Sequence, residues 1–298
     1  MPTSDYTRTD LACETKPPLS GPMAGVESKE RVIHGISCTD LSILEEDAAK
    51  TLGKPVGRYI TLSRADLWKL DGEEYTQFRD LLAEQLRMLS EEMTGRRPDA
   101  EFGVLVAGLG NREITADAIG PLTVQKLSAT RHLRDYAPEA YSAIGRCSLS
   151  ALAPGVLGQT GIETVELVRG AAVNAEPDLV IAVDALAARS CARLASTVQL
   201  CSAGIAPGAG IGNHRRAICQ DSVGRPVLAL GVPTVVDSST LVYDALGQAG
   251  IGEISDTLRA ILENGRGFFV SPKESDVISE QISGLLADAI ETAFTVGE

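Results

Sequence analysis

From residue 103 onward, strand-like apolar runs alternate with helical stretches, and this alternation limits the possible folds more than any other feature of the chain. The strand runs fall at 103–107, 148–151, 179–183, 197–200, 227–230 and 267–270. The helical runs fall at about 122–133, 161–174, 238–249 and 276–294. Strands separated by helices predict an α/β fold, with a mostly parallel sheet covered by helices on both faces. Upstream, residues 31–62 alternate apolar and polar side chains and read as two strands flanking an acidic turn at Glu45-Glu46-Asp47. A helix over about 72–93 follows, with apolar residues at three-to-four spacing. Residues 1–30 carry Pro17-Pro18 and Gly21-Pro22 among Ser, Thr and Lys, so they read as a flexible segment ahead of one domain at 31–298.

Several function classes are set aside at once. The net charge of -13 repels phosphate backbones, so no direct nucleic-acid partner is expected. No apolar run approaches the roughly 20 residues that span a bilayer, and the N-terminus lacks an apolar signal-peptide centre. A cytoplasmic protein without membrane contact is therefore expected. The six cysteines form no CxxC pair and read as free thiols in a reducing compartment. His34, His132 and His214 make no HxH or HxxxH pair, so no metal site is predicted from them. His132 is expected near a helix C-terminus, where the helix dipole favours a cation. Gly108-Leu109-Gly110 lacks the third glycine of a dinucleotide fingerprint and has Glu113 in its place. With no GxSxG elbow either, neither a cofactor nor a serine nucleophile is expected.

The aspartates carry the chemistry. Asp184 follows the unbroken apolar run 179–183, and Ala185 to Ala188 read as the beginning of a new turn. A carboxylate there is costly to desolvate unless it has a partner or a task. Asp117 precedes Gly120-Pro121, where a helix would begin, and Asp237 closes a third apolar run at 231–237. Each of the three also suits a helix N-cap. Two carboxyls placed together cannot both ionise cheaply, so one remains an acid beside a base. Such a pair either activates water directly or holds a divalent metal whose bound water attacks, and the residues leave both routes open. The glycine-rich loops 153–161 and 205–213 are expected beyond strand ends, where ligands of open α/β sheets bind.

Several ordered blocks resemble the germination protease family, the endopeptidases that degrade small acid-soluble spore proteins. They are 108–121, Thr130-Arg131-His132-Leu133, Ala153-Pro154-Gly155-Val156, 160–164, 181–189 and 231–237. The resemblance implies an atypical aspartic-type endopeptidase with a fold like the hydrogenase-maturation endopeptidases, a phosphorylase/hydrolase-like fold. It places the two essential aspartates on Asp117 and Asp184; Asp237, Thr234, Gly155 and Gly208 are expected to support the cleft. It also implies a self-processing zymogen. Residues 1–10 would be the propeptide, cut between Asp10 and Leu11, within Arg8-Thr9-Asp10-Leu11-Ala12-Cys13-Glu14. Family substrates are cut similarly, after an acidic residue and before a bulky apolar residue followed by alanine. A homotetramer in the spore core is implied, although the chain is shortened after Ala249. Two other readings remain: a metal-dependent hydrogenase-maturation-type endopeptidase, and a non-catalytic α/β binding module whose aspartates only cap helices.

Overall fold

A computed structural model describes residues 9–15, 23–208, 215–251, 253–264 and 268–296. The strands are β1 (Val26–Ile33), β2 (Ile36–Ile43), β3 (Gly57–Ser63), β4 (Gly103–Gly108), β5 (Ser148–Leu152), β6 (Leu179–Ala188), β7 (Thr197–Cys201), β8 (Val227–Asp237) and β9 (Phe269–Val270). The first helices are α1 (Glu46–Leu52), α2 (Gly72–Thr94), α3 (Ile119–Lys126), α4 (Arg131–Tyr136), α5 (Pro138–Ile144) and α6 (Leu157–Thr160). They are followed by α7 (Thr164–Ala175), α8 (Gln220–Val223), α9 (Ser238–Gln248), α10 (Asp256–Asn264) and α11 (Ser275–Ala293).

The strands form one sheet in the order β1-β2-β3-β7-β8-β6-β4-β5, with β9 paired to the end of β8. The α/β class is as expected, but the sheet is mixed rather than mostly parallel. Only β8, β6, β4 and β5 run parallel to one another. The β1-β2-β3-β7-β8 half is antiparallel. Two local features explain this. His34 and Gly35 both take positive φ (50° and 75°), which closes β1 and β2 as a two-residue hairpin. The span 189–196 before β7 is shorter than the dozen or more residues a parallel crossover needs.

Helices cover both faces, as the alternation predicts. Phe78, Leu82, Leu86 and Leu89 of α2 and Ile282, Leu286 and Ile290 of α11 pack on Val104, Val106, Ile181 and Val183. On the opposite face Val165, Val168 and Ala172 of α7 cover Leu105, Ala107, Val180 and Ala182. Alternate residues of β4 and β6 thus serve two different cores, which is why these strands read as unbroken apolar runs.

Three further expectations change. Glu45-Glu46-Asp47 is the entry to α1, whose first turn holds Glu46 and Asp47, where acids complement the helix dipole. The single helix over 122–133 is two, α3 and α4. The break is set by Thr130, whose N–H donates to the Leu149 carbonyl while its hydroxyl donates to that of Cys147. His132 therefore lies in the first turn of α4, exposed, and has no role at a helix C-terminus. All six cysteines are free, as expected. Among the described residues no helix is long and apolar enough to cross a membrane.

Candidate active site

The largest change concerns Asp184. Strand β6 does not stop before it but continues to Ala188, so the aspartate sits within the strand rather than at a helix start. It is opposite Gly231 of β8 and only 4% exposed. One of its oxygens accepts the N–H of Ala185 at 3.0 Å. Burial, then the nearby charges of Asp117 and Asp10, hold the Asp184 carboxyl well above the usual aspartate range.

Asp117 reaches the same place from another element. It ends a single 3-10 turn, Thr115–Asp117, between β4 and α3. That turn is pressed against the sheet by glycines. A Cβ on Gly110 would lie 2.1 Å from the Asp117 carbonyl oxygen, and one on Gly120 would lie 2.3 Å from that of Leu109 and 2.5 Å from that of Val183. The Leu109 N–H also donates to the Val183 carbonyl at 2.8 Å, tying the exit of β4 to β6 beside Asp184. Gly108, Gly110 and Gly120 thus have a packing reason that owes nothing to a nucleotide. The Thr234 hydroxyl of β8 donates to the Ala116 carbonyl at 2.6 Å and fixes the turn from the other side.

The Asp117 carboxylate accepts the Asn111 N–H at 2.8 Å. Burial raises its pKa, while the Asn111 N–H and the charge of Arg215 pull it down. The two carboxyls therefore have unlike environments. Asp184, the more deeply buried, holds a proton more firmly, and Asp117 has the donors that favour an ionised oxygen.

Both aspartates line one cavity of about 430 Å³. Leu109, Ile114, Val156, Leu186 and Phe269 make its walls largely apolar, and Asp10, Thr234, Gly208 and Arg215 also line it. Gly155 is outside the lining, although its carbonyl accepts the hydroxyl of Thr164, which lies in it. Asp237 is also outside the lining; it is buried and caps α9 by accepting the Thr240 N–H at 3.0 Å. Residues 209–214 of the second glycine loop, with His214, and residues 1–8 of the expected propeptide lie outside the described residues. Among the described residues no three His, Cys, Asp or Glu side chains are grouped to hold a metal.

Residues 9–15 pack against this site. The Asp10 N–H donates to the Ala187 carbonyl at 2.8 Å, and the Ala187 N–H returns a bond to the Asp10 carboxylate at 2.8 Å. Glu14 accepts the N–H groups of Arg189 and Ser190 at 2.7 and 3.0 Å. Leu11 is fully buried on Leu186, Ala188 and Val236, and Ala12 is buried equally deeply. The Lys54 ammonium donates to the Thr9 carbonyl at 2.9 Å. Arg215, Gln199 and Lys54 are site residues that the sequence reading misses. Their only signals are an Arg pair after a glycine loop, one amide inside the run Thr197-Val198-Gln199-Leu200, and nothing at all for Lys54.

Comparison with known proteins gives the family. The family model described as germination protease matches residues 10–249. A germination protease of Clostridium perfringens is 40% identical over 316 aligned positions, covering 96% of this chain and 94% of the relative. One from Caldanaerobacter subterraneus is 37% identical, covering 97% and 94%. One from Priestia megaterium is 39% identical over 82% of this chain but 67% of its own length. With a family match over residues 10–249 and relatives up to 40% identical across nearly all of it, the chain belongs to the germination protease family and is a peptidase, a hydrolase.

Proposed function

We propose that the chain is an aspartic-type endopeptidase, made as a zymogen that cuts itself between Asp10 and Leu11 and then degrades small acid-soluble spore proteins in the spore core. The observation that carries this reading is the meeting of Asp117, Asp184 and Asp10 in one cavity. Ionised Asp117 takes a proton from water, and the resulting hydroxide attacks the peptide carbonyl carbon. The carbon–nitrogen bond then breaks as Asp184 gives its proton to the leaving nitrogen. Asp184 is now ionised and Asp117 protonated, and transfer of that proton between them resets the pair.

The docked segment also supports the substrate preference implied by the family. An acidic residue before the cut finds the Ala187 N–H, as Asp10 does. A bulky apolar residue after it finds Leu186 and Val236, as Leu11 does. The next position is enclosed like Ala12, which leaves room for little beyond a methyl group. A homotetramer is part of the proposal by resemblance, and light scattering of the pure protein tests it.

Incubating the full-length protein from mildly acidic to neutral pH and sequencing its new N-terminus tests the proposal as a whole. A product beginning at Leu11 is expected. Prolonged incubation with no such product at any pH overturns the zymogen reading.

A further inference from the structure

Gln199 of β7 is opposite Gly231 of β8, and Gly231 is opposite Asp184 of β6. Directly opposite residues in neighbouring strands project to the same face. Gln199 and Asp184 therefore stand on one face with a glycine between them, their backbones about 10 Å apart at the usual strand spacing. The Leu186 side chain packs over Gly231 between the amide and the acid, and a Cβ on the glycine would lie 2.5 Å from it.

Residues 10–12 lie against Gln199 and Leu186. The Gln199 amide nitrogen donates to the Asp10 carbonyl oxygen at 3.2 Å. Its amide oxygen accepts the Ala12 N–H at 2.7 Å. These two bonds fix the orientation of the amide, since a flip would set donor against donor and acceptor against acceptor. Gln199 is 6% exposed, so water competes little for the amide. The Asp10 oxygen belongs to the very peptide that joins Asp10 to Leu11.

We infer that Gln199 is a catalytic residue of the self-processing reaction, polarising the Asp10–Leu11 carbonyl and stabilising the negative charge that develops on its oxygen. This rests on the proposed aspartic mechanism. When hydroxide adds to the carbonyl carbon, the carbonyl π pair moves onto that oxygen, and an amide already aimed at it needs no reorganisation. The charge returns to the carbon–oxygen bond as the nitrogen leaves with the proton of Asp184. Loss of one such donor lowers turnover by about 10²–10³-fold in known cases. The grip on Ala12 holds the far side of the bond in register during the attack.

Two variants of the full-length chain separate this role from simple clasping. Gln199→Glu keeps the acceptor for Ala12 and replaces the donor, whereas Gln199→Leu removes both. The rate at which the Leu11 terminus appears is followed for each, with hydrogen exchange of the Ala12 amide as the measure of docking. Gln199→Glu is expected to keep the Ala12 amide protected, to process about 100-fold more slowly or worse, and to recover in part as falling pH protonates the new carboxyl. Gln199→Leu is expected to be at least as slow. Processing within threefold of wild type in Gln199→Glu overturns the inference, and so does slowing accompanied by a freely exchanging Ala12 amide, which would make Gln199 a clasp only. Asp117→Asn is run alongside as a control. If it processes normally, the aspartic mechanism itself fails; if it is inactive while Gln199→Glu is fully active, only the role of Gln199 fails.

Discussion

Asp117→Asn and Asp184→Asn should each reduce cleavage of a Glu–Leu–Ala peptide by about 10³-fold or more, since general acid–base groups typically contribute 10²–10⁴ each and the pair acts as a unit. Asparagine keeps the shape and keeps an oxygen for the local donors, the Asn111 N–H at position 117 and the Ala185 N–H at position 184. It removes the ability to take or give a proton. Loss of activity would therefore not reflect loss of fold, and thermal melts can show this. In the folded chain Asp184 retains its proton at pH values where the unfolded chain has released it. Wild-type stability consequently falls as pH rises from the ordinary aspartate range to the folded-state pKa, by about 1.4 kcal/mol per pH unit. Asp184→Asn has no such slope and should melt higher than wild type on the alkaline side of that window. A variant that is inactive and more stable has lost chemistry, not structure. Full activity in both single variants would contradict the assignment.

Gly120→Ala should be strongly destabilising. The added carbon would lie 2.3 Å and 2.5 Å from the carbonyl oxygen and amide nitrogen of Leu109 and 2.5 Å from the Val183 carbonyl oxygen. All three are backbone atoms at the junction of β4, β6 and α3, where no side chain can rotate away. Relief requires α3 to retreat from the sheet, which carries the Asp117 turn away from Asp184. The expected cost is about 3 kcal/mol or more, the upper end of overpacking effects. Chemical denaturation measures it, and peptide cleavage should fall with it. Gly170→Ala is the matched control. Gly170 lies in α7 with open space where a Cβ would go, so alanine there should stabilise by about 0.5–1 kcal/mol. Equal behaviour of the two variants would mean that close approach at Gly120 does not hold the site together.

The parts of the fold legible in the sequence are those whose pattern is local. The two-faced apolar runs of β4 and β6 announce buried strands, and α2 and α11 keep their helical spacing almost to the expected ends. Strand direction was not legible, because it depends on partners distant in the chain. β7 runs antiparallel to β8 although both belong to the strand–helix portion of the sequence. The cost of burying its charge marks Asp184 in the sequence, but its place inside β6 rather than at a strand end is not legible there. Ala185 to Ala188 are poor strand formers in isolation, and what extends them is pairing with β8 from Ala185↔Val232 to Ala188↔Val236. Asp117 was legible because proline and glycine mark the start of α3. Gln199 was not, since one amide in a short strand gives no hint of what lies across it. Leu11 and Ala12 are fully buried although the residues around them are polar, and only the docked structure brings this out.

The central claim is that one proton is held between the carboxyls of Asp117 and Asp184, and titration of the labelled aspartate carboxyls by carbon NMR tests it most directly. The Asp184 carboxyl should titrate well above the ordinary aspartate range in the wild-type chain. In Asp117→Asn it should move down while staying raised, because burial remains and only the neighbouring charge is gone. A pKa for Asp184 within the ordinary range, or one that Asp117→Asn leaves untouched, would show that the two groups do not share a proton.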